Sequence, residues 1–478
     1  GNTAWLYNGA STIDIGLTDA DHTSSSGVKS SFPSQLNEAG QAAGSSSRFS
    51  GSTSLGTSAW LYDGTNTVVI GLTGAEHTRS DGLRLSSVGR LNEAGQVYGT
   101  SYRFTGSPPY GRSAWLYNGT STLDIGLTTS NHTRNDGYRT SRVSQLNAAG
   151  DARGYSFRYD GANYTGQSAW VFDGTATTEI GLIDAEHTSQ SGYRWSQSNG
   201  LNEVGQLIGY SQHYSGYSLA GSSAWFYNGA DTIEIGLSDA QHTNAAGFGN
   251  SSTSRLNDAG QVTGGSGRYN GATNVGATAW MYDSASGQTF PFVLSTRSDG
   301  YARSFVRYLG DDGLVLGFYT LFDELDTNLG DRAFYFTMAD GLHDLGSLVD
   351  LDLAIHGWEH LADVVRGNGF GQIFGNGKLT SQSGGQMAYL LKPALPGDFN
   401  GDLLVDVADY VMWRKAGAEA QDYQIWRDNF GRSDLGGAAA RASHSAIPEP
   451  TATAHMTIII LALLGRCVTR GTGAGAPR

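Results

Sequence analysis

The sequence predicts an all-β fold built from copies of one unit, and three observations lead to this prediction. First, six tryptophans recur at one constant interval along the chain. They are Trp5, Trp60, Trp115, Trp170, Trp225 and Trp280. Second, the residues around them recur, since Ser-Ala-Trp-Leu-Tyr-Asp-Gly at 58–64 returns as Ser-Ala-Trp-Leu-Tyr-Asn-Gly at 113–119. Third, glycine accounts for 68 of 478 residues, about twice its usual share, and it falls at regular turn positions. A fixed period of this length indicates stacked or radially arranged copies of one supersecondary unit.

Each repeat has room for four short strands. Four segments of residues 58–112 have the aromatic residues, β-branched residues or partial alternation of strands. They are 59–62, 67–70, 83–91 and 96–104. Asp63-Gly64 and Asn92-Glu93-Ala94-Gly95 predict tight turns between strands, because glycine tolerates the positive φ that such turns need. Four hairpin-linked strands within one period match one blade of a β-propeller in size and content.

The repeat decays towards the C-terminus, but its period continues. Ala333-Phe334-Tyr335 takes the place of the tryptophan segment one period after Trp280, shortened by a single position. Ala388-Tyr389-Leu390 takes that place again one full period later. Residues 1–392 therefore predict a propeller of seven four-stranded blades, or of eight if residues precede Gly1. An open β-solenoid is the alternative, although it needs polar end caps that the sequence does not show.

Composition limits the classes of partner. The net charge is −14 and the repeats contain no basic cluster, which argues against a nucleic-acid partner. The single cysteine, Cys467, excludes an intramolecular disulfide. The chain opens in mid-repeat at Gly1 without a methionine, so we expect a truncated or processed N-terminus and draw no export signal from that end.

The Ile-Gly-Leu, Leu-Asn-x-x-Gly-Gln and Ala-Trp segments of residues 1–392 resemble the HAF family of bacterial extracellular repeats. The resemblance implies a secreted β-repeat protein. It brings no catalytic residues with it.

Two series of polar residues follow the same period. One consists of histidines, each preceded by an acid or amide: His22, His77, His132, His187 and His242. The other places arginine before an aromatic residue: Arg48-Phe49, Arg103-Phe104, Arg158-Tyr159 and Arg268-Tyr269, with His213-Tyr214 as a variant. Zinc ligands lie about 2 Å from the metal, so histidines on separate blades cannot share one ion. We interpret each histidine as a loop residue bonded to backbone, and each arginine as a strand-end residue over its neighbour. Ligand contacts, one per blade, are the alternative for the histidines, and stacking on sugars or pairing with carboxylates is the alternative for the arginines.

The case for an enzyme depends on residues 290–388, where the repeat breaks down. Their acidic residues and one histidine are Asp311, Asp312, Asp323, Glu324, Asp326, Asp331, Glu359 and His360. Two carboxylates at a suitable separation can hydrolyse glycosides. However, the sequence contains no Gly-x-Ser-x-Gly, no His-Glu-x-x-His and no sialidase-type Ser-x-Asp-x-Gly-x-Thr-Trp box. The sequence favours a non-enzymatic binding or scaffolding protein, with a propeller glycoside hydrolase or lyase and a structural surface-layer protein as alternatives.

Residues 398–409 predict a calcium loop. Oxygen-bearing side chains stand at loop positions 1, 3, 5, 9 and 12: Asp398, Asn400, Asp402, Asp406 and Asp409. Leu404 at position 7 offers its backbone carbonyl. This is the ligand spacing that Ca²⁺ requires when one turning loop wraps it. Position 6 is Leu403, where glycine usually allows the sharp turn.

Two helical segments follow this loop. Asp409-Tyr410-x-x-Trp413-Arg414 returns as Asp422-Tyr423-x-x-Trp426-Arg427. Residues 395–433 therefore resemble a type I dockerin, which implies paired helices, cohesin binding and extracellular carbohydrate-degrading assemblies. Because residues 415–421 lack a second loop, we predict one calcium ion in a small module, and cohesin docking is doubtful.

The C-terminal segment predicts export. Residues 434–446 have the composition of a linker, and Ile447-Pro448-Glu449-Pro450 is followed by an apolar run at 456–464 and by arginines. Residues 447–470 resemble a PEP-CTERM sorting tail, which implies export and removal by an exosortase; residues 471–478 are a predicted disordered end. Nine apolar residues span only about 14 Å as a helix, against about 30 Å of bilayer core. We therefore expect a hydrophobic helix that holds the protein at the membrane transiently, with a stable anchor as the alternative. The expected site of action is the cell envelope or extracellular space, with polysaccharide or matrix as partner.

Overall fold

The computed structural model describes residues 1–105, 111–349, 353–354, 357–369, 371–380, 385–393, 395–400, 404–416, 420–432 and 458–460. The chain divides into two compact units. The first comprises Gly1–Val293 with Ser298–Arg303, and the second comprises Leu294–Arg297 with Ser304–Arg478. Both units consist mainly of β-strands, which confirms the predicted β class for the described residues.

The first unit repeats a four-stranded antiparallel module, in which each strand pairs with the next along the chain. The first strands are Ser31–Leu36, Arg84–Leu91, Ser141–Leu146, Arg194–Leu201 and Gly249–Leu256. The second strands are Ala42–Ser50, Val97–Arg103, Ala152–Asp160, Leu207–Ser215 and Gln261–Asn270. The third strands are Thr53–Tyr62, Gly111–Tyr117, Asn163–Phe172, Ser218–Tyr227 and Thr273–Asp283. The fourth strands are Thr67–Val69, Thr122–Asp124, Thr177–Ile180, Thr232–Glu234 and Gln288–Phe292. Each module is named here after the tryptophan on its third strand, and the pair Trp5–Tyr7 and Thr12–Asp14 precedes them.

The strands predicted within residues 58–112 are confirmed. The tryptophan strand is longer than predicted and begins at Thr53 rather than Ala59, because it pairs along its length with Ala42–Ser50. Both predicted turns contain glycine at positive φ, namely Gly64 at 100° and Gly95 at 79°. A turn between strands thus follows directly from the local sequence.

The core of the first unit lies between modules, because each buried tryptophan packs against the module before it. Trp170 belongs to a cluster with Ala114 and Leu116 of the Trp115 module. Across its own sheet Trp170 faces Gly154, where a Cβ atom would lie 2.3 Å from the indole ring, so only glycine fits. Five of the six periodic tryptophans are fully buried. Trp5 is 62% exposed, because the described residues include no earlier module that packs against it.

Short parallel pairings also connect neighbouring modules. Gly166 pairs with Arg194, and Gly221 pairs with Gly249. A Cβ atom on Gly166 would lie 1.9 Å from the carbonyl oxygen of Arg194, so the two strands approach closely only because this residue is glycine. The pairing brings the start of each module against the tryptophan strand of the module before it.

A line of turn asparagines links the modules as well. The side-chain amide of each donates to the backbone carbonyl of its equivalent one 55-residue period later, at 3.0–3.1 Å. The four donors are Asn37, Asn92, Asn147 and Asn202, and Asn257 accepts the last of these bonds. The period of the sequence is therefore also the spacing of a direct contact between neighbouring modules.

The second unit continues the repeat in a degraded form. Its strands are Ala302–Leu309, whose first two residues belong to the first unit, Val315–Phe322, Asn328–Thr337, Gly341–Asp344, Trp358–Gly367, Ile373–Leu379 and Gln386–Pro393. Phe334 faces Gly317 and Tyr389 faces Gly375, as each tryptophan faces a glycine in the first unit. Both rings are buried. The predicted decayed copies therefore occupy the aromatic position of the repeat.

Two helices follow these strands, Val407–Ala416 and Ala420–Asn429. Of the C-terminal tail the structure describes Ile458–Ile460, which form a strand antiparallel to Gln386–Pro393. The predicted hydrophobic helix is wrong for these three residues, since β-branched isoleucines favour a strand when a sheet edge is available. The remainder of the predicted tail, the linker at 434–446 and the end at 471–478 lie outside the described residues. Within the described part of the chain, every helix is too short or too polar to span a bilayer.

Candidate functional site

The periodic histidines are buried structural residues. In His22, Nδ1 lies 2.7 Å from Asp19 Oδ1 and Nε2 lies 2.9 Å from Ser58 Oγ. His242 repeats this arrangement with Asp239 and Thr278. His22 and His242 each tie a turn to the next tryptophan strand. The predicted backbone bonding is therefore wrong for the imidazole nitrogens of these two histidines, because an aspartate carboxylate three residues earlier accepts from Nδ1.

Three of the four periodic arginines are also buried and Arg158 is half-buried, and all four bind polar groups. Arg103 is 3% exposed and donates to Glu76 at 2.6 Å. Arg268 donates to Gln241 at 2.8 Å. The interpretation of these arginines as lying over their aromatic neighbours is wrong, because three of them reach an acid or amide on the neighbouring turn and Arg158 reaches Glu179 on a strand.

The aromatic partners of these arginines contribute to a separate surface. Five rings follow one another at centroid distances of 5.9–6.2 Å. They are, in order of contact, Tyr138, Tyr159, Tyr164, Tyr193 and Tyr214. This tyrosine ladder runs from the Trp170 module to the Trp225 module. Tyr164 is its most accessible member, at 49% exposure, and Tyr138 and Tyr193 are half-buried. Tyr159 and Tyr214 are buried beneath them, so three of the five rings are accessible to a ligand.

The Trp170 module contains a polar network, named here the Glu179 cluster: Arg158, Ser168, Glu179, Arg194 and His132. Glu179 Oε1 accepts hydrogen bonds from Ser168 Oγ at 2.6 Å and from Arg194 Nη2 at 2.6 Å. Arg158 Nη1 adds a third contact at 3.2 Å. Two guanidinium groups from different strands thus neutralise one half-buried carboxylate, which is a favourable charge-assisted arrangement.

His132 completes this cluster as a neutral ring. Its Nε2 lies 3.0 Å from Ser168 Oγ, and its Nδ1 lies 2.8 Å from Thr129 Oγ1. Because Ser168 donates its proton to Glu179, we assign Nε2–H of His132 as the donor to Ser168 and Nδ1 as the acceptor from Thr129. Burial lowers the pKa of His132 to about 4, and the nearby arginines act in the same direction.

The equivalent position of the Trp225 module is open. Glu234 pairs with Trp225 in the sheet as Glu179 pairs with Trp170. However, His213 stands at the position of Arg158, and Gly249 stands at that of Arg194. A cavity of about 270 Å³ results, and we name it the Glu234 cavity. Its lining includes Glu186, His213, Ser222, Ser223, Glu234 and Gly249.

A buried histidine beside this cavity has lost its usual partner. His187 Nδ1 lies 2.7 Å from Asp184 Oδ1, as in the other modules. Its Nε2 is buried and has no hydrogen-bond partner among the described residues. The hydroxyl that corresponds to Ser58 and Ser168 here is Ser223, a cavity residue, and the imidazole ring lies 5.6 Å from the ring of His213.

The Trp60 module shows the opposite change around a second cavity, of about 260 Å³. Here Val69 replaces the carboxylate while Arg48 and Arg84 remain. Arg48 pairs with Asp21 at 3.0 Å, and Arg84 Nε donates to Thr78 Oγ1 at 2.9 Å. Both guanidinium groups thus have partners within the chain. The lining of this cavity therefore offers no unpaired charged group of the kind that Glu234 provides in the first cavity.

The predicted calcium loop is partly described. Asp409 is fully buried, and its two carboxylate oxygens accept the backbone N–H groups of Asn400 at 3.0 Å and Asp406 at 2.8 Å. Asp398 is 8% exposed. Buried carboxylates are costly unless they are paired or bind a cation, so this donor set fits Ca²⁺. Asp402 and Leu403 lie outside the described residues, and the described residues alone contain no cluster of three potential ligands.

The two helices close over this loop through their repeated motif. Tyr410 lies 5.0 Å from Trp426, and Trp413 lies 5.4 Å from Tyr423, measured between ring centroids. Trp426 Nε1 donates to the carbonyl of Asp406 at 2.7 Å. The predicted pair of helices is confirmed, and its aromatic residues pack against one another across the two helices.

The acids of residues 290–388 serve local structure. Asp331 accepts from Thr320 at 2.7 Å, Glu359 pairs with Lys378 at 2.8 Å, and Asp323 accepts the N–H groups of the turn that follows it. Each of these three acids thus has a partner that stabilises the local structure.

Comparison with known proteins adds distant structural likenesses. Neither a protein-family model nor a curated protein matches the chain. Among solved structures, an Aleuria aurantia lectin in complex with Fucalpha1-6GlcNAc is 11% identical with a TM-score of 0.22, covering 66% of this chain and 94% of the lectin. The β-propeller domain of a protease from Pyrococcus furiosus is 10% identical with a TM-score of 0.24, covering 75% of this chain and 92% of that domain. A Trypanosoma rangeli sialidase in complex with the inhibitor DANA is 10% identical with a TM-score of 0.24, covering 64% of this chain and 55% of the sialidase. Likeness at this level carries no conclusion about this chain.

Proposed function

We propose that the repeat region binds extracellular polysaccharide and does not cleave it. The observation that carries this proposal is the tyrosine ladder, which places five rings in succession across two modules. A tyrosine presents an apolar ring and a polar hydroxyl, a combination that suits a sugar with an apolar face and a rim of hydroxyls. A ladder that extends over neighbouring modules suits a polymer better than a single sugar.

The polar groups along the ladder support this ligand class. Burial and the neighbouring Tyr193 raise the pKa of Tyr164 to about 12, so the Tyr164 hydroxyl stays protonated and can donate to a sugar oxygen. The guanidinium of Arg134 lies 4.7 Å from the centroid of the Tyr138 ring. The surface therefore combines stacking area with hydrogen-bond donors.

We further propose that the modules are blades arranged radially as a propeller of seven or eight blades. Two features support this arrangement: the four-stranded antiparallel module in each repeat, and the packing of each tryptophan against the preceding module. In such a protein the repeated histidines and arginines maintain the fold, and binding falls to positions that differ between blades.

Binding is tested with the full chain on a glycan array, followed by affinity electrophoresis in the polymer that binds best. We expect Tyr164→Ala to weaken binding by about threefold to tenfold, since an aromatic contact contributes about 0.5–1.5 kcal/mol. Tyr7→Ala is the matched control, because Tyr7 is also exposed but lies outside the ladder. Equal losses in both variants, or no glycan bound, would overturn the proposal.

We propose that the 395–433 module binds one Ca²⁺ ion through Asp398, Asn400, Asp402, Leu404, Asp406 and Asp409. The ion would supply the positive charge that two buried carboxylates require. Calorimetric titration of the full chain with calcium should show one site, and Asp402→Ala should abolish it. Two sites or none would contradict a single-loop module.

We also propose that the protein is exported and processed by an exosortase near Pro450, with only transient membrane attachment. Intact mass spectrometry of the native, surface-located protein should show a chain that ends near this residue. Peptides from beyond Gly465 in that form would show that the tail is retained.

A further inference from the structure

We propose that the Glu234 cavity binds a guanidinium group supplied from outside the chain. The modules themselves show what normally fills this position. Arg139 donates to Asp124 at 2.6 Å in the Trp115 module, and Arg194 donates to Glu179 at 2.6 Å in the Trp170 module. The Trp225 module keeps the carboxylate and lacks the guanidinium.

Two substitutions within the repeat open the cavity. His213 replaces the arginine of the second strand, and Gly249 replaces the arginine that begins the next module. The Glu179 side chain is only 27% exposed beneath its two arginines, whereas Glu234 is an exposed residue. The space is about 270 Å³, near the lower end of the usual range for ligand pockets.

The charges of the cavity favour a cation. Glu186 and Glu234 both line it, and the single cationic candidate in its lining, His213, lies 3.8 Å from Glu186. In the preceding module the same carboxylate position accepts from two arginines. A guanidinium has five N–H donors in a planar fork that matches carboxylate oxygens, so one group can contact more than one acceptor here.

His187 provides a second observation, independent of the acids. Asp184 accepts from its Nδ1, so in the neutral ring Nε2 carries a lone pair and is an acceptor. The His187 side chain is 2% exposed and this nitrogen has no donor among the described residues. The His187 ring lies 5.6 Å from the ring of His213, which lines the cavity. A buried acceptor in this place favours a ligand that donates hydrogen bonds, as a guanidinium does and an anion does not.

The cavity can also be closed again without steric conflict. A Cβ atom on Gly249 would lie 3.5 Å from the nearest atom, the carbonyl oxygen of His242, which is an ordinary contact. Its φ lies outside the left-handed region that requires glycine. The double variant His213→Arg with Gly249→Arg therefore restores the pattern of the preceding module and fills the cavity with the chain's own guanidinium groups.

The test is calorimetric titration of the full chain with two probes, agmatine and a short glycine-rich peptide with one internal arginine. We expect binding of at least one probe, weakened at least about tenfold by Glu234→Gln, because the neutral amide loses a hydrogen bond between two charged groups. Glu179→Gln is the matched control and should leave probe affinity unchanged, since its position is already filled. The double arginine variant should lose binding while its melting temperature stays equal or rises.

The two probes distinguish the sources of the guanidinium. Binding of agmatine supports a small-molecule ligand, and binding of the peptide alone supports an arginine on a partner protein. The proposal is overturned if neither probe binds, if Glu234→Gln binds as tightly as the native chain, or if the double arginine variant still binds. Because the cavity and the tyrosine ladder use different residues, loss of either activity leaves the other measurable.

Discussion

The Glu179 cluster and the Glu234 cavity occupy the same place in neighbouring modules, yet one is filled and the other is open. Their frameworks agree, since Trp170 and Trp225 are both fully buried and each faces a glycine across its sheet. They differ in two arginines, Arg158 and Arg194, whose places around Glu234 are taken by His213 and Gly249. The comparison shows that a repeat protein can open a cavity by losing side chains while its core stays unchanged.

The largest expected effect tests whether the two modules share one framework. Trp225→Ala and Trp170→Ala should each lower the free energy of unfolding by about 3–5 kcal/mol, because each removes a large buried ring. Trp5→Ala, at the exposed member of the series, should change it by no more than about 0.5 kcal/mol. Urea denaturation of the full chain measures all three, and a small cost for only one of the two buried positions would refute a shared core.

The next effect concerns the pH dependence of the filled cluster. The folded-state pKa of His132 is lowered to about 4 from its ordinary value of 6.5. Above pH 6.5 His132 is neutral in both the folded and the unfolded chain, so its full contribution to stability is present. Between the two values only the unfolded chain takes up the proton, so stability falls as the pH is lowered, by up to about 1.4 kcal/mol per pH unit.

This dependence can be assigned to one residue. His132→Gln should remove that part of the decline. The free energy of unfolding of the native chain, relative to that of the variant, should therefore increase as the pH rises from 4.5 to 7. Urea denaturation at several pH values provides the comparison. Parallel curves for the native chain and the variant would show that His132 is not kept neutral by the fold.

A smaller effect separates the filled cluster from the open cavity directly. Arg158→Ala should destabilise the chain by about 1–3 kcal/mol, since it removes a contact to a half-buried carboxylate. His213→Ala, the equivalent change in the Trp225 module, should cost no more than about 0.5 kcal/mol, because its nearest acid, Glu186, is 3.8 Å away and exposed. Equal costs would mean that the cavity is as tightly paired as the cluster.

The local features of the fold could be predicted from the sequence, whereas the contacts between modules could not. Turn glycines and aromatic strands act within a few residues, so the strands at 84–91 and 97–103 and the aromatic positions at Phe334 and Tyr389 were predicted. The hydroxyl partners of the histidines and the partners of the arginines were missed because they lie far along the chain. His22 bonds Ser58, 36 residues later, and Arg48 reaches Asp21, 27 residues earlier.

One of the two substitutions that open the Glu234 cavity was visible in the sequence. The variant His213-Tyr214 stood out within the arginine series, but the simultaneous change to Gly249 did not, because it belongs to another position of the repeat. Only the structure shows that both positions face one carboxylate. Comparing the repeats position by position around each acid would have revealed the pair. In the C-terminal tail, by contrast, a sequence pattern predicted the wrong element. The apolar run predicted a helix, but Ile458–Ile460 form a strand.

The most direct test of this account transfers the cavity to the preceding module. The full-length double variant Arg158→His with Arg194→Gly reproduces around Glu179 the two substitutions that open the Glu234 cavity. Calorimetric titration with the guanidinium probe that binds the native chain should then give two sites per chain instead of one, and adding Glu179→Gln should return the number to one. A double variant that keeps the circular dichroism spectrum of the native chain but still binds one probe molecule would contradict the claim that loss of the two arginines creates the site.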